Sequence, residues 1–236
     1  MNSQILAFIG LGLTFWGALF FLITPFRYVE GSLLDSTAMP SYQTINRIVR
    51  DLKCTDHGYH IPPFPKKAYL PQHLKGLKEM TVFIPAIDDA QTPSIEEMAE
   101  SKFLLKHPQG VLIISPGAGL LNKIENDFNI DFTNMDLSRL CEVLPGFILN
   151  NLGLAVGMEM DIRDNLVNVR IQGSIYKDLY SKEADLKSIN ITGCPIVSAV
   201  ACALAKATGK SVTLQKLQVL PDGQIEVQCN IIQGRD

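Results

Sequence analysis

The chain has 236 residues, enough for one or two domains, with 47% hydrophobic and 19% charged residues. That is more apolar than an average soluble domain and directs attention to a membrane segment. The net charge is −3, and lysine and arginine are spread along the chain without a basic stripe, which excludes the electrostatic footprint of a nucleic-acid-binding protein. The cysteines number five, an odd and widely spaced set, which argues against a secreted disulfide framework and for reduced thiols.

The apolar excess is concentrated at the start. Ile5 to Thr24, ILAFIGLGLTFWGALFFLIT, carries no charge. As a helix it rises about 30 Å, the thickness of a bilayer's hydrocarbon core. The start MNSQ lacks a basic residue, and ITPFRYVE offers no good cleavage site, so a retained single-pass anchor over residues 1–27 is expected rather than a signal peptide. Arg27 follows the helix, with Arg47, Arg50 and Lys53 beyond it. That bias, with the unpaired cysteine count, places the C-terminal part in the cytoplasm. Residues 28–60 read as a linker and an amphipathic juxtamembrane helix. In the helix Tyr42, Ile45, Val49 and Leu52 recur at three- and four-residue spacing, with Ser41 as a cap. Prolines in IPPFPKKAYLP enforce extended or turn structure.

Residues 61–236 read as one α+β domain. Thr81 to Pro85 is a short strand, and SIEEMAESKFLLK is a helix opened by a Ser94/Glu97 capping box. GVLIIS is a buried strand, PGAGLLNKIENDF a helix, and NMDLSRLCEVLPGFILNNLGL a helix interrupted near Pro145-Gly146. AVGMEMDIRDNLVNVRIQG alternates as a hairpin turning near Arg163-Asp164-Asn165; SIYKDLYSKEADLKSI is short helix and loop. GCPIVSAVACALAKATGK is a helix stopped by Gly209, and SVTLQKLQVLPDGQIEVQCNII is a second hairpin turning at Pro221-Asp222-Gly223. The expected architecture is an N-terminal transmembrane helix followed by an antiparallel sheet, built on these two C-terminal hairpins, with helices on one face.

Three segments could carry chemistry. Cys194 precedes Pro195 at a helix start, where the dipole favours thiolate, so it is the best nucleophile or metal-ligand candidate. Cys202 lies eight residues on, about 12 Å along the helix, too far for a disulfide or a shared metal. Alanines at 199, 201, 203, 205 and 207 mark a buried helix, which makes Cys202 a core residue and Cys194 first of all a cap. In CTDHGYH, Cys54, His57 and His60 are three apart, with His73 further on. These are zinc-competent ligand types, but the spacing is not that of a common zinc finger or ribbon, and a polar turn is the plainer reading. VLIISPGAGLLNK is a strand, a G-x-G loop and a helix, where backbone amides can hold phosphate. Asn122 stands where the dinucleotide fingerprint needs a third glycine, and Pro116 removes an amide donor, so tight-turn packing is expected and no cofactor is assigned.

The strings HPQGVLIISPGAGLL, CEVLPGFILNNLGLA and GCPIVSAVACALAKATGK together resemble a family of uncharacterised archaeal membrane-anchored proteins over most of the chain after residue 60. The resemblance implies no activity. Some members of that family carry a second cysteine soon after the Cys-Pro pair; here Ile196-Val197 fills the place. The terminal order of hairpin, helix and hairpin is more distantly similar to four-vinyl-reductase-type domains and to small subunits of TRAPP tethering complexes. That likeness implies dimerisation and an apolar cavity, hence ligand sensing or assembly. The functional expectation is a membrane-anchored cytoplasmic binding or assembly domain, non-catalytic, meeting the lipid bilayer, a second copy of itself, and a protein partner or small apolar ligand. The alternative is a membrane-tethered thiol- or metal-dependent enzyme using Cys194.

Overall fold

The structure is a computed structural model that describes residues 2–22, 31–55, 57–64, 77–87, 92–100, 102–133, 135–181 and 184–232. Eight antiparallel strands form one sheet: β1 (Tyr59–Ile61), β2 (Thr81–Pro85), β3 (Leu104–Lys106), β4 (Gln109–Ile114), β5 (Gly157–Arg163), β6 (Leu166–Gln172), β7 (Val212–Val219) and β8 (Ile225–Ile231). Their order is β3-β4-β2-β1-β7-β8-β6-β5. The two C-terminal hairpins pair as their alternation predicts, and four further strands extend the same sheet through β1, which pairs with both β2 and β7. The polar turn expected around His57–His60 is therefore a strand from Tyr59 onward, and the sheet begins there.

The helices are α1 (Asn2–Leu22), α2 (Gly31–Asp51), α3 (Ile95–Ala99), α4 (Ala118–Phe128), α5 (Leu137–Gly146), α6 (Lys187–Thr192) and α7 (Pro195–Thr208). A π turn, Phe147–Asn151, continues α5 just beyond Pro145, and a 3₁₀ turn covers Lys177–Tyr180. The helix of SIEEMAESKFLLK is shorter than its pattern suggests. The Ser94 hydroxyl does accept the Glu97 N–H, but Leu104–Lys106 leaves to pair with β4. Helix α2 begins ten residues before Ser41 and runs through Pro40. Proline forfeits one hydrogen bond there. Packing offsets that loss, because Tyr42 and Val49 are buried and Ala38, Met39 and Ile45 lie against the core.

Helix α7 lies on the central strands, with α4 and α5 around it, so it meets protein on every side and residues 196–207 are all buried. The opposite sheet face is divided. On the β1–β4 half, Ile61, Phe83, Leu105 and Leu112 are buried beneath Met98 of α3, so helices cover both faces there rather than one. On the β5–β8 half, paired outward positions are polar: Glu159 faces Arg170, Asp161 faces Asn168, and Asn168 faces Gln228.

Candidate functional site

Cys194 caps α7 with extended backbone (φ −65°, ψ 170°) and is fully buried. Its N–H donates to the Tyr180 hydroxyl at 3.2 Å. The Tyr42 hydroxyl of α2 donates to Gly193 O at 2.8 Å, and the Ser188 hydroxyl donates to Tyr42 O at 3.0 Å. Burial pushes the Cys194 thiol up, and this outweighs the Tyr180 hydroxyl and the Ile196 and Val197 amides, which pull it down. The dipole argument from sequence thus loses to desolvation. Tyr42 and Tyr180 are themselves pushed well above the ordinary tyrosine value by burial. Cys194 stands in a cage with Tyr42 and Tyr180, where burial favours its neutral thiol. Cys202 is a core residue whose thiol burial raises to about 12.

The zinc-competent residues diverge. Cys54 packs beside Val49, Val82 and Ile191, while His57 sits edge-on to Tyr59 at 6.2 Å between ring centroids. His60 points to the opposite side of β1 from Tyr59 and is fully buried under α7. His73 lies outside the described residues. No group of three or more metal-competent side chains forms among the described residues.

His60 instead joins a buried polar network that its spacing in the sequence does not reveal. Its Nδ1 lies 3.5 Å from Ser115 Oγ, which contacts Ser198 Oγ at 2.8 Å and Cys202 Sγ at 2.9 Å. His60 Nε2 is buried without a partner. Burial lowers the imidazole to about 3, so His60 is neutral at physiological pH. The network resembles a nucleophile and base only in composition, for Ser115 and Ser198 are 2% and 0% exposed. It stitches β1, the turn after β4 and α7 together.

The G-x-G loop has the same purpose. The Gly117 N–H donates to Ser198 Oγ at 3.0 Å, and a Cβ on Gly117 would stand 2.0 Å from Ala199 N. The glycine is there because α4 starts against the backbone of α7. A cleft of about 270 Å³ opens beside this start, lined by Lys78, Met80, Ile114, Asn122 and Lys206. Lys206 is already engaged. Its Nζ lies 2.5 Å from Glu125 Oε1 and 3.4 Å from Asp131 Oδ1, with Lys206 and Glu125 side chains 7% and 12% exposed. This pair escapes sequence reasoning because its partners are 81 residues apart; a lone lysine among alanines is its single signal.

The open face of β5–β8 forms a shallow cleft of about 240 Å³ bordered by Asp161, Arg163, Arg170, Lys216, Glu226 and Gln228. Opposite charges neighbour each other there: Arg170 binds Glu159 at 2.7 Å and Arg163 binds Asp161 at 3.2 Å. The residues that line this cleft are mostly polar and mixed in sign, with no aromatic side chain among them.

Fold and site together define an α+β domain whose core holds the Cys194, Cys202, Ser115, Ser198 and His60 side chains and whose open β5–β8 face is polar. The chain matches the family described as "Domain of unknown function (DUF7982)" over residues 2–231 and belongs to it. No curated protein and no solved structure matches the chain.

Proposed function

We propose that this protein is a membrane-tethered binding or assembly domain rather than an enzyme, with α1 as the tether and the folded domain on the cytoplasmic side. The observation that carries the reading is α1. It has 21 residues without a charge, and Leu6, Phe8, Leu11, Leu13, Phe15, Trp16 and Phe20 are 57–76% exposed. Such a surface is apolar all round and is left uncovered by the described residues, which fits lipid contact. The family match begins at residue 2 and so includes this helix. Among the described residues the one stretch long and apolar enough to cross a membrane is 187–208, with a mean hydropathy of 1.7, but 89% of its most apolar window is buried in the domain; Gln4–Phe20 of α1 is a shorter apolar helix. The 187–208 stretch is a core element by packing.

The binding reading is supported by what the reactive groups do. Cys194, Cys202 and His60 are buried and held in their neutral forms, and the cleft nearest Cys194, of about 230 Å³, is lined by Tyr180 rather than by the thiol. The β5–β8 face is exposed and polar, and a protein partner or a second copy would meet it through hydrogen bonds and ion pairs. The order of hairpin, helix and hairpin keeps the resemblance to the four-vinyl-reductase-type and TRAPP small-subunit domains as part of this proposal. Native mass measurement of the full chain, gently extracted from its own membranes, tests it. A species heavier than the 26.1 kDa chain, containing a second copy or another protein, is expected. A bare monomer with thiol-dependent turnover of an added substrate would overturn it in favour of the Cys194 enzyme.

A further inference from the structure

The seat of α2 contains a carboxyl group with no charge partner. Asp35 is 5% exposed, and its Oδ1 has no hydrogen-bond partner. The helix packs against the 3₁₀ turn Lys177–Tyr180 and against α6. Groups facing Asp35 there are Asp178 and Lys177 of the turn, Tyr176 just before it, and Cys194 at the start of α7. No ion pair to Asp35 forms among the described residues. A buried carboxylate with one bare oxygen, facing a second carboxylate, is costly; the protonated form removes the charge and supplies a donor. Burial first, then the Asp178 charge, push Asp35 above the ordinary carboxyl value; the Asp178 backbone N–H bonded to it and the more weakly felt Lys177 pull it down without reversing this.

Helix α2 is also what closes the Cys194 cage. Tyr42 is bonded to Gly193 O and is 2% exposed. One turn on, the Asn46 amide donates to Asp185 O at 3.2 Å, and its oxygen accepts the Ser188 N–H at 3.3 Å. These polar bonds contribute about 1 kcal/mol each beside the apolar burial of Tyr42 and Val49, so a charge on Asp35 lowers the fraction of α2 docked rather than detaching the helix outright. We propose that α2 is a proton-sensitive latch over Cys194: the protonated Asp35 carboxyl holds the helix on its seat beside Asp178, and loss of that proton loosens α2 and uncovers the thiol. The sign follows from the direction of the shift. Docked α2 binds the proton more tightly than free α2, so docking is complete below the ordinary carboxyl value and weakens as pH rises through the raised one. The latch does not depend on the tether, since helix and seat both lie in the domain.

Hydrogen–deuterium exchange of the full chain in detergent micelles, from pH 4.5 to 8 and corrected for intrinsic exchange rate, tests it. Peptides covering Leu34–Asn46 should lose protection relative to α7 by about tenfold per pH unit between the ordinary carboxyl value and the raised one, and level off above it, as expected for one linked proton. Alkylation of Cys194, corrected for thiolate fraction, should rise in parallel. Asp35→Asn cannot release the proton and should keep α2 protected at pH 8. Asp178→Asn removes the facing charge that raises Asp35, so the loss should be smaller and level off at lower pH; the question therefore stays answerable if Asp35→Asn fails to fold. Equal and pH-independent protection of α2 in wild type and variants would overturn the latch, whether or not α1 proves to be a tether.

Discussion

Gly117→Ala tests the reading of the G-x-G loop as a packing device. The added Cβ would stand 2.0 Å from Ala199 N and 2.3 Å from Ser198 C, where ordinary contact begins near 3.4 Å. Both are backbone atoms of a helix buried on every side, so no side chain can rotate away. Helices α4 and α7 must separate by roughly 1 Å, which also stretches the Gly117–Ser198 bond. Overpacking costs about 1–3 kcal/mol and the weakened buried hydrogen bond about 1 kcal/mol more. A loss of about 3 kcal/mol is expected, equivalent to a fall in Tm of roughly 6–12 °C for a chain of this size. Gly119→Ala is the control two residues on. Nothing lies within 4 Å of its added Cβ, and alanine is better than glycine inside a helix by about 1 kcal/mol. Urea unfolding of full-length protein in detergent, followed by circular dichroism, measures both. If Gly117→Ala unfolds within about 0.5 kcal/mol of wild type, or Gly119→Ala is as damaging, the packing argument fails.

Other consequences concern the buried groups. His60 is held neutral down to about pH 3, while the unfolded chain takes its proton near 6.5. Stability present above 6.5 is therefore lost as pH falls, by about 1.4 kcal/mol per unit. His60→Leu should flatten the slope between pH 6.5 and 5 in urea titrations, and an unchanged slope would count against the assignment. Lys206→Met strands Glu125 with the Phe132 N–H as its one remaining donor among the described residues, so a loss of about 3 kcal/mol is expected. Adding Glu125→Leu should recover much of that loss, and failure to recover would show that the pair is not the cause. Cys202 and Cys229, both raised to about 12 by burial, should resist alkylation until the protein unfolds, while half-buried Cys54 and Cys141 react first. Peptide mass spectrometry after a short pulse of iodoacetamide reads this order.

Much of the C-terminal half is legible in the sequence because its signals are local. Two alternating runs with tight turns define β5–β6 and β7–β8, and an alanine-rich stretch between Pro195 and Gly209 defines α7. Strand β1 is not legible, since three residues carry no period, and its partners, β2 and β7, lie about 20 and 150 residues away. The inward position of His60, and with it the network to Ser115 and Ser198, is hidden for the same reason. The first turns of α2 read as linker because Gly31 and Pro40 oppose helix locally; the burial of Tyr42 and Val49 that overrides them is tertiary. Cys194 is found as a cap, yet its chemistry depends on Tyr180 and on Tyr42, 152 residues earlier in the chain, which no spacing rule connects to it.

The tether is decided most directly by flotation. Full-length protein should rise with lipid vesicles through a density gradient and resist alkaline extraction, whereas a Leu11→Lys/Phe15→Lys variant, charged at the middle of α1, should remain below. Full-length protein left at the bottom, or a lysine variant that floats equally well, would contradict the account.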